Sequence, residues 1–247
     1  MLYCYQWHDQ GFLSDPLGQK NKSYNHHNII RMKTTLKILG CLAALSVSGT
    51  AIAEDKSLPR VLLIGDSICG GYQQKVKKNL EGKTVVVKNN GNAQHTGTGL
   101  KKIDEWLGDG NWDVIHFNWG LWDIAHRNPK AKTFGKLDKV NGTLTTPLPQ
   151  YEKNLRALVA RMKKTGATLV WASITPVPEG EPGRIKGDEI KYNAVAAKIM
   201  KENGIAINDL HAEVLRMGKP NRPNVHDTGN LSNKVTESIL AALKTPK

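Results

Sequence analysis

From Arg60 onward two hydrophobic rhythms alternate along the chain. Short stretches that are mostly apolar, at 60–64, 84–88, 112–117, 168–173 and 205–207, predict buried strands. Between them, 72–80, 99–107, 151–164, 188–203 and 231–243 carry apolar residues at helical spacing. The clearest is 151–164, which sets Leu155, Leu158, Val159 and Met162 on one side. Strand and helix in strict alternation predict an α/β fold, a parallel sheet covered by helices on both faces. Such sheets bind ligands outside the carboxyl ends of their strands. Attention therefore falls on Ser67 and on the segments 118–123 and 174–178, each of which follows a strand. Two polar stretches, 126–150 and 177–187, interrupt the rhythm and are expected to overhang the same crevice.

The segment before this pattern changes the picture of where the protein works. Lys33 and Lys37 precede an apolar run at 38–47, and Ala51-Ile52-Ala53 follows as a small-x-small cleavage site, which predicts a signal peptide over 32–53. The run is too short to span a bilayer. A secreted or periplasmic protein without stable membrane insertion is expected once the leader is removed. Residues 1–31 have no apolar period and are read as a disordered extension ahead of a translation start at Met32. The remaining 54–247, 194 of the 247 residues, suits one domain, expected to act as a monomer.

The formal charge of +13 raises the question of nucleic acid. The segment up to Ala53 holds five Lys and Arg against two Asp, so +10 stays with the domain, scattered over helices with no recognition motif. No nucleic-acid partner is expected, while polyanionic glycans suit the charge. Of the three cysteines, Cys4 and Cys41 leave with the leader, so Cys69 stands alone and no disulfide framework exists. No HExxH pattern, Cys/His cluster or phosphate-cradling loop occurs, and neither metal nor cofactor is expected.

Candidate chemistry begins at Gly65-Asp66-Ser67, where the first strand turns sharply toward a helix. A serine there either caps the helix or acts as a nucleophile, provided that a base takes its proton and backbone N–H groups receive the oxyanion. Among the histidines, His226 is best placed as that base, in a turn-rich stretch before the last helix; His95 and His116 are weaker candidates.

Gly65-Asp66-Ser67, Gly120-Leu121-Trp122-Asp123 and Val225-His226, in this order at strand ends, resemble the motifs of the SGNH, or GDSL-type, hydrolases. His116 to Asp123, Thr175-Pro176-Val177-Pro178 and Asn208-Asp209-Leu210 resemble more closely the secreted bacterial branch often encoded near polysaccharide-degrading enzymes, and the likeness covers 59–243. It implies a three-layer α/β/α sandwich with a parallel, flavodoxin-like sheet. It also implies Ser67 as nucleophile and His226 as general base. The family's oxyanion donors are the serine N–H, a glycine N–H after the second strand and an asparagine side chain. The glycine's place falls here on Asn92-Ala93-Gln94, which makes Ala93 or a neighbour the donor. Trp122 stands at the asparagine's place, between Gly120 and Asp123, and Asn118 or Asn92 is the substitute. Pro223 stands where many relatives carry the triad aspartate, leaving Asn224 as a neutral partner for the imidazole, or Asp227, Asp123 or Asp209.

The resemblance and the leader together predict a serine ester hydrolase that removes O-acetyl groups from an acylated polysaccharide or oligosaccharide. Trp119 and Trp122, with Asn141, Thr143, Thr145 and Thr146, are expected to flank the crevice. Two alternatives share the scaffold: a glycan-binding protein without the chemistry, and a general short-chain esterase or lipase.

Overall fold

A computed structural model describes residues 58–218 and 224–245; the expected extension and leader, 1–31 and 32–53, lie outside the described residues. The chain runs β1 (Arg60–Ile64), α1 (Ser67–Asn79), β2 (Val85–Lys88), α2 (Thr96–Leu107) and β3 (Val114–Phe117). A two-stranded ribbon follows, β4 (His126–Arg127) with β5 (Thr143–Leu144), around a 3-10 turn at Phe134–Lys136. Next come α3 (Leu148–Lys163), β6 (Thr168–Ala172), α4 (Asp188–Glu202), β7 (Ala206–Asn208), α5 (Leu210–Arg216) and α6 (Ser232–Leu243).

Five strands form one sheet in the order β2-β1-β3-β6-β7, every neighbouring pair parallel. Counted within this sheet, that is the doubly wound 2-1-3-4-5 order, whose connections reverse direction between β1 and β3 and open a crevice there. The central strands are buried on both sides because helices cover both faces: Val61 to Ile64 and Val114 to Phe117 all lie in the interior, and His116 is the single polar side chain among them. At the edges, Val85 and Val87 of β2 and Ile207 of β7 are exposed. Helix α6 packs on α1 and against β3, β6 and β7, while α2, α3 and α4 follow one another as the other layer.

Capping decides where helices begin. Helix α1 starts at Ser67, five residues earlier than its apolar period indicates, because the Asp66 carboxylate accepts the Ile68 N–H at 2.9 Å. Gly65 makes this turn passable: a Cβ there would lie 2.6 Å from Cys69 Cβ. Helix α5, absent from the sequence reading, is likewise capped by Asp209, which accepts from the Ala212 N–H. The stretch 126–150 is only partly loop. His126 N–H donates to Gly183 O and Lys139 N–H to Pro182 O, so the two polar stretches are joined through their backbones.

Candidate active site

Ser67 is the first residue of α1, exposed at the carboxyl end of β1, and its Oγ lies 2.9 Å from His226 Nε2. The histidine arrives from far along the chain, in a turn just ahead of α6. The packing of α6 on α1 brings the two together, supported by Asn79 Nδ2 donating to Asn233 Oδ1 and Thr236 Oγ1. Val225 anchors the turn in the core, while the His226 N–H donates to Asn224 Oδ1 at 2.8 Å and the Thr228 N–H to His226 O at 2.9 Å. With its proton on Nδ1, the imidazole accepts the serine hydroxyl at Nε2, the hydrogen bond a general base requires. The Ser67 N–H points out of the helix N-terminus, where partial positive charge gathers.

This pair opens on a cleft of about 530 Å³. One wall holds Asn92 and Trp122; the others come from both polar stretches, Arg127, Phe134 and Leu137 from the first, Glu181, Pro182 and Arg184 from the second. The second stretch is held by a buried ion pair, Arg184 Nη1 to Glu181 Oε1 at 2.5 Å, and by Arg184 Nε donating to Leu121 O at 2.6 Å. Asp66 lies buried beside the pair; desolvation raises its pKa above the ordinary 3.8, against the opposing pull of its bond to the Ile68 N–H and the charges of Arg184 and His226. Cys69 is buried and its thiol is pushed up to about 12 by desolvation, so it packs rather than reacts at neutral pH.

Other residues named from sequence lie elsewhere. Ala93 is fully buried; its N–H donates to Gly65 O at 3.2 Å and its carbonyl accepts from Trp119 Nε1, so its amide is committed to the scaffold rather than to an oxyanion. Asn118 donates Nδ2 to Ala172 O at 2.7 Å, tying the end of β3 to the end of β6. Gly120 is buried with φ 146°, and a Cβ there would meet Ile174 Cδ1 at 2.1 Å: this glycine serves packing. Asp123 is wholly buried and accepts from the Thr96 N–H and hydroxyl, the latter at 2.6 Å. Asn224 uses Oδ1 on the His226 backbone instead of the ring, and Asp209 is bound to Ser173 Oγ and the Ala212 N–H. Trp119 is core, stacked on Trp106, and Thr145 and Thr146 belong to backbone contacts around Ala125 and Asp123 rather than to the cleft. His95 caps α2, and His116 is buried in β3.

Of the proposed donors, Asn92 remains on the cleft wall. Its Oδ1 accepts the Gln94 N–H at 2.8 Å, which leaves the NH2 group as the donor on offer. Gln94 has φ 51°, a left-handed conformation that glycine adopts more readily. The residues missed from sequence are Arg127, Phe134, Leu137, Glu181 and Arg184, all from stretches read only as polar loops. The aromatic Phe134, isolated among Lys, Gly and Thr, was the available signal. Among the described residues no group of three or more His, Cys, Asp or Glu is arranged to hold a metal, and no helix is long and apolar enough to cross a membrane.

No family model matches the sequence, and no curated protein does. Solved structures do resemble the fold. A lipase/acylhydrolase from Enterococcus faecalis superposes with TM-score 0.61 at 15% identity, over 77% of this chain and 100% of that one. A GDSL-like lipase from Bacteroides thetaiotaomicron gives 0.54 at 17% identity, over 75% and 87%. An acetylxylan esterase from Geobacillus stearothermophilus gives 0.55 at 18% identity, over 76% and 95%. The parallel sheet, its strand order and these superpositions agree: the chain has the SGNH hydrolase fold, the fold of GDSL-like lipases and acylhydrolases.

Proposed function

We propose that the protein is a serine ester hydrolase acting outside the cytoplasm, and that it removes O-acetyl groups from a polysaccharide or oligosaccharide. The observation that carries this reading is the 2.9 Å contact between an exposed serine hydroxyl and an imidazole at the mouth of an open cleft. Ser67 Oγ attacks the ester carbonyl while His226 Nε2 takes the hydroxyl proton. The Ser67 N–H and the Asn92 amide receive the oxyanion. Collapse breaks the bond to the sugar oxygen, which leaves with the proton from His226. A water, deprotonated by the same imidazole, then hydrolyses the acetyl-serine to acetate. The fold shared with an acetylxylan esterase and the aromatic wall at Trp122 support a sugar ester. The leader motif at 32–53 supports the location.

Two observations favour a glycan-binding protein on the same scaffold: the amide of Ala93 is spent on Gly65, and Trp122 stands at the place of a side-chain donor. Labelling by a fluorophosphonate separates the two readings, because only an activated serine reacts. Acetate release from acetylated xylan, compared with Ser67→Ala, tests the proposal. Loss of at least about a thousandfold is expected, as for removal of a nucleophile. Equal release by both proteins overturns it. A chain-length series of nitrophenyl esters that peaks beyond acetate transfers the assignment to a general esterase.

A further inference from the structure

We propose that the cleft beside Ser67 carries a subsite for a sugar carboxylate, built on Arg127, so that the glycan it takes is acidic and bears uronate residues. This rests on reading the cleft as the substrate site of an ester hydrolase. The charged and titratable groups lining the cleft are Asp66, Arg127, Glu181, Arg184 and His226. Arg184 is already neutralised by Glu181 and engaged with Leu121 O, so it is part of the wall. Asp66 caps α1. Arg127 is different: it is half-buried, and among the described residues no carboxylate pairs with it.

Its guanidinium is also held by two contacts. Arg127 Cζ sits 4.4 Å from the centre of the Trp122 ring, and Nη1 donates to Gly135 O in the 3-10 turn. The ring contact and the carbonyl together hold the group at two points. Among the described residues no hydrogen-bond acceptor meets the edge formed by Nε and Nη2, the fork that matches a planar carboxylate with two parallel hydrogen bonds. Burial and the neighbouring charge of Arg184 both lower the Arg127 pKa, the signature of a cation without its counter-ion. A neutral glycan entering this cleft strips water from that cation and returns hydroxyl acceptors without a charge, whereas a uronate supplies the counter-charge. Phe134, 97% exposed on the same lip, offers a face for the ring that carries the carboxylate. The basic balance of the whole chain draws a polyanion toward it.

Calorimetry with two unacetylated ligands, trigalacturonate and xylotriose, tests the subsite without any turnover. Trigalacturonate is expected to bind the wild-type protein about tenfold tighter at low salt, the lower end for a charge-assisted pair. Arg127→Gln is expected to remove that margin, and Arg127→Lys, which keeps charge but lacks the fork, to retain only part of it. Equal binding of the two ligands by the wild-type protein, or tighter binding of xylotriose, overturns the proposal whatever the variants do. Failure of the hydrolase reading is separable. Arg127-dependent binding of trigalacturonate with no acetate release from any acetylated glycan leaves the subsite standing and removes the chemistry. Acetate release with no preference for galacturonate does the reverse.

Discussion

Replacing Asp123 by asparagine isolates the cost of an ionised carboxylate in the core. Asp123 has no exposed surface; its oxygens accept from Thr96, whose N–H lies at 3.0 Å and whose hydroxyl, itself accepting from Asn154 Nδ2, lies at 2.6 Å, and the Thr146 side chain also bonds to it. Desolvation wins over these bonds and raises its pKa from 3.8 to about 6. The native state thus holds the proton more tightly than the unfolded chain does. Stability from this group is greatest below pH 3.8 and declines as pH rises toward about 6, above which the loss is complete. At 1.36 kcal/mol per pKa unit the full loss is about 3 kcal/mol, of which about 2 falls between pH 4 and 7. Asparagine is close to isosteric, can accept from Thr96 and never ionises. Urea unfolding of both proteins at pH 4, 5.5 and 7 is the assay. The wild-type minus variant difference is expected to fall by about 2 kcal/mol across that range, whatever its absolute value at one pH. A difference that stays constant with pH refutes the claim that Asp123 is ionised in the core at neutral pH at the expense of stability.

His116 should show the opposite slope. Burial lowers its pKa from 6.5 to about 4, so the unfolded chain binds the proton more tightly and stability is lost as pH falls from 6.5 through 4. His116→Gln keeps an acceptor for Asn208 Nδ2, which lies 3.0 Å from the ring, and the wild-type minus variant difference is expected to rise by about 3 kcal/mol from pH 4 to 7 in the same assay. Because this slope opposes that of Asp123, the wild-type protein is expected to be flatter over this range than either variant. Gly120→Ala drives a Cβ to 2.1 Å from Ile174 Cδ1 at φ 146°. It is expected to cost about 3 kcal/mol in denaturant unfolding, with part recovered by Ile174→Ala in the double variant; no recovery refutes the steric cause.

Much of the fold was legible because its signals are local. The apolar runs that became β1, β3 and β6 say that both of their faces are covered, and only a sheet between helix layers covers both. Helix starts were less legible: Asp66 and Asp209 set them through single hydrogen bonds that carry no periodicity. The ribbon at 126–144 is not legible in the sequence, because two residues per strand are too few to show an alternation.

The sequence by itself determined the layered α/β architecture, the exposed hydroxyl at the end of the first strand, and the histidine worth seeking ahead of the last helix. Tertiary structure alone decided which polar groups are free. Ser67 and His226 are 159 residues apart and meet only because α6 packs on α1. Ala93, Asn118 and Asp123 look equally available in the sequence, yet each is spent on a backbone or side-chain partner from a distant segment. Arg127, unremarked in a polar stretch, lines the cleft because Trp122 and Gly135 hold it there. The physical reason is that periodicity reports burial, which a residue's neighbours along the chain share, whereas a hydrogen bond or an unpaired charge depends on a partner that only the folded chain brings near.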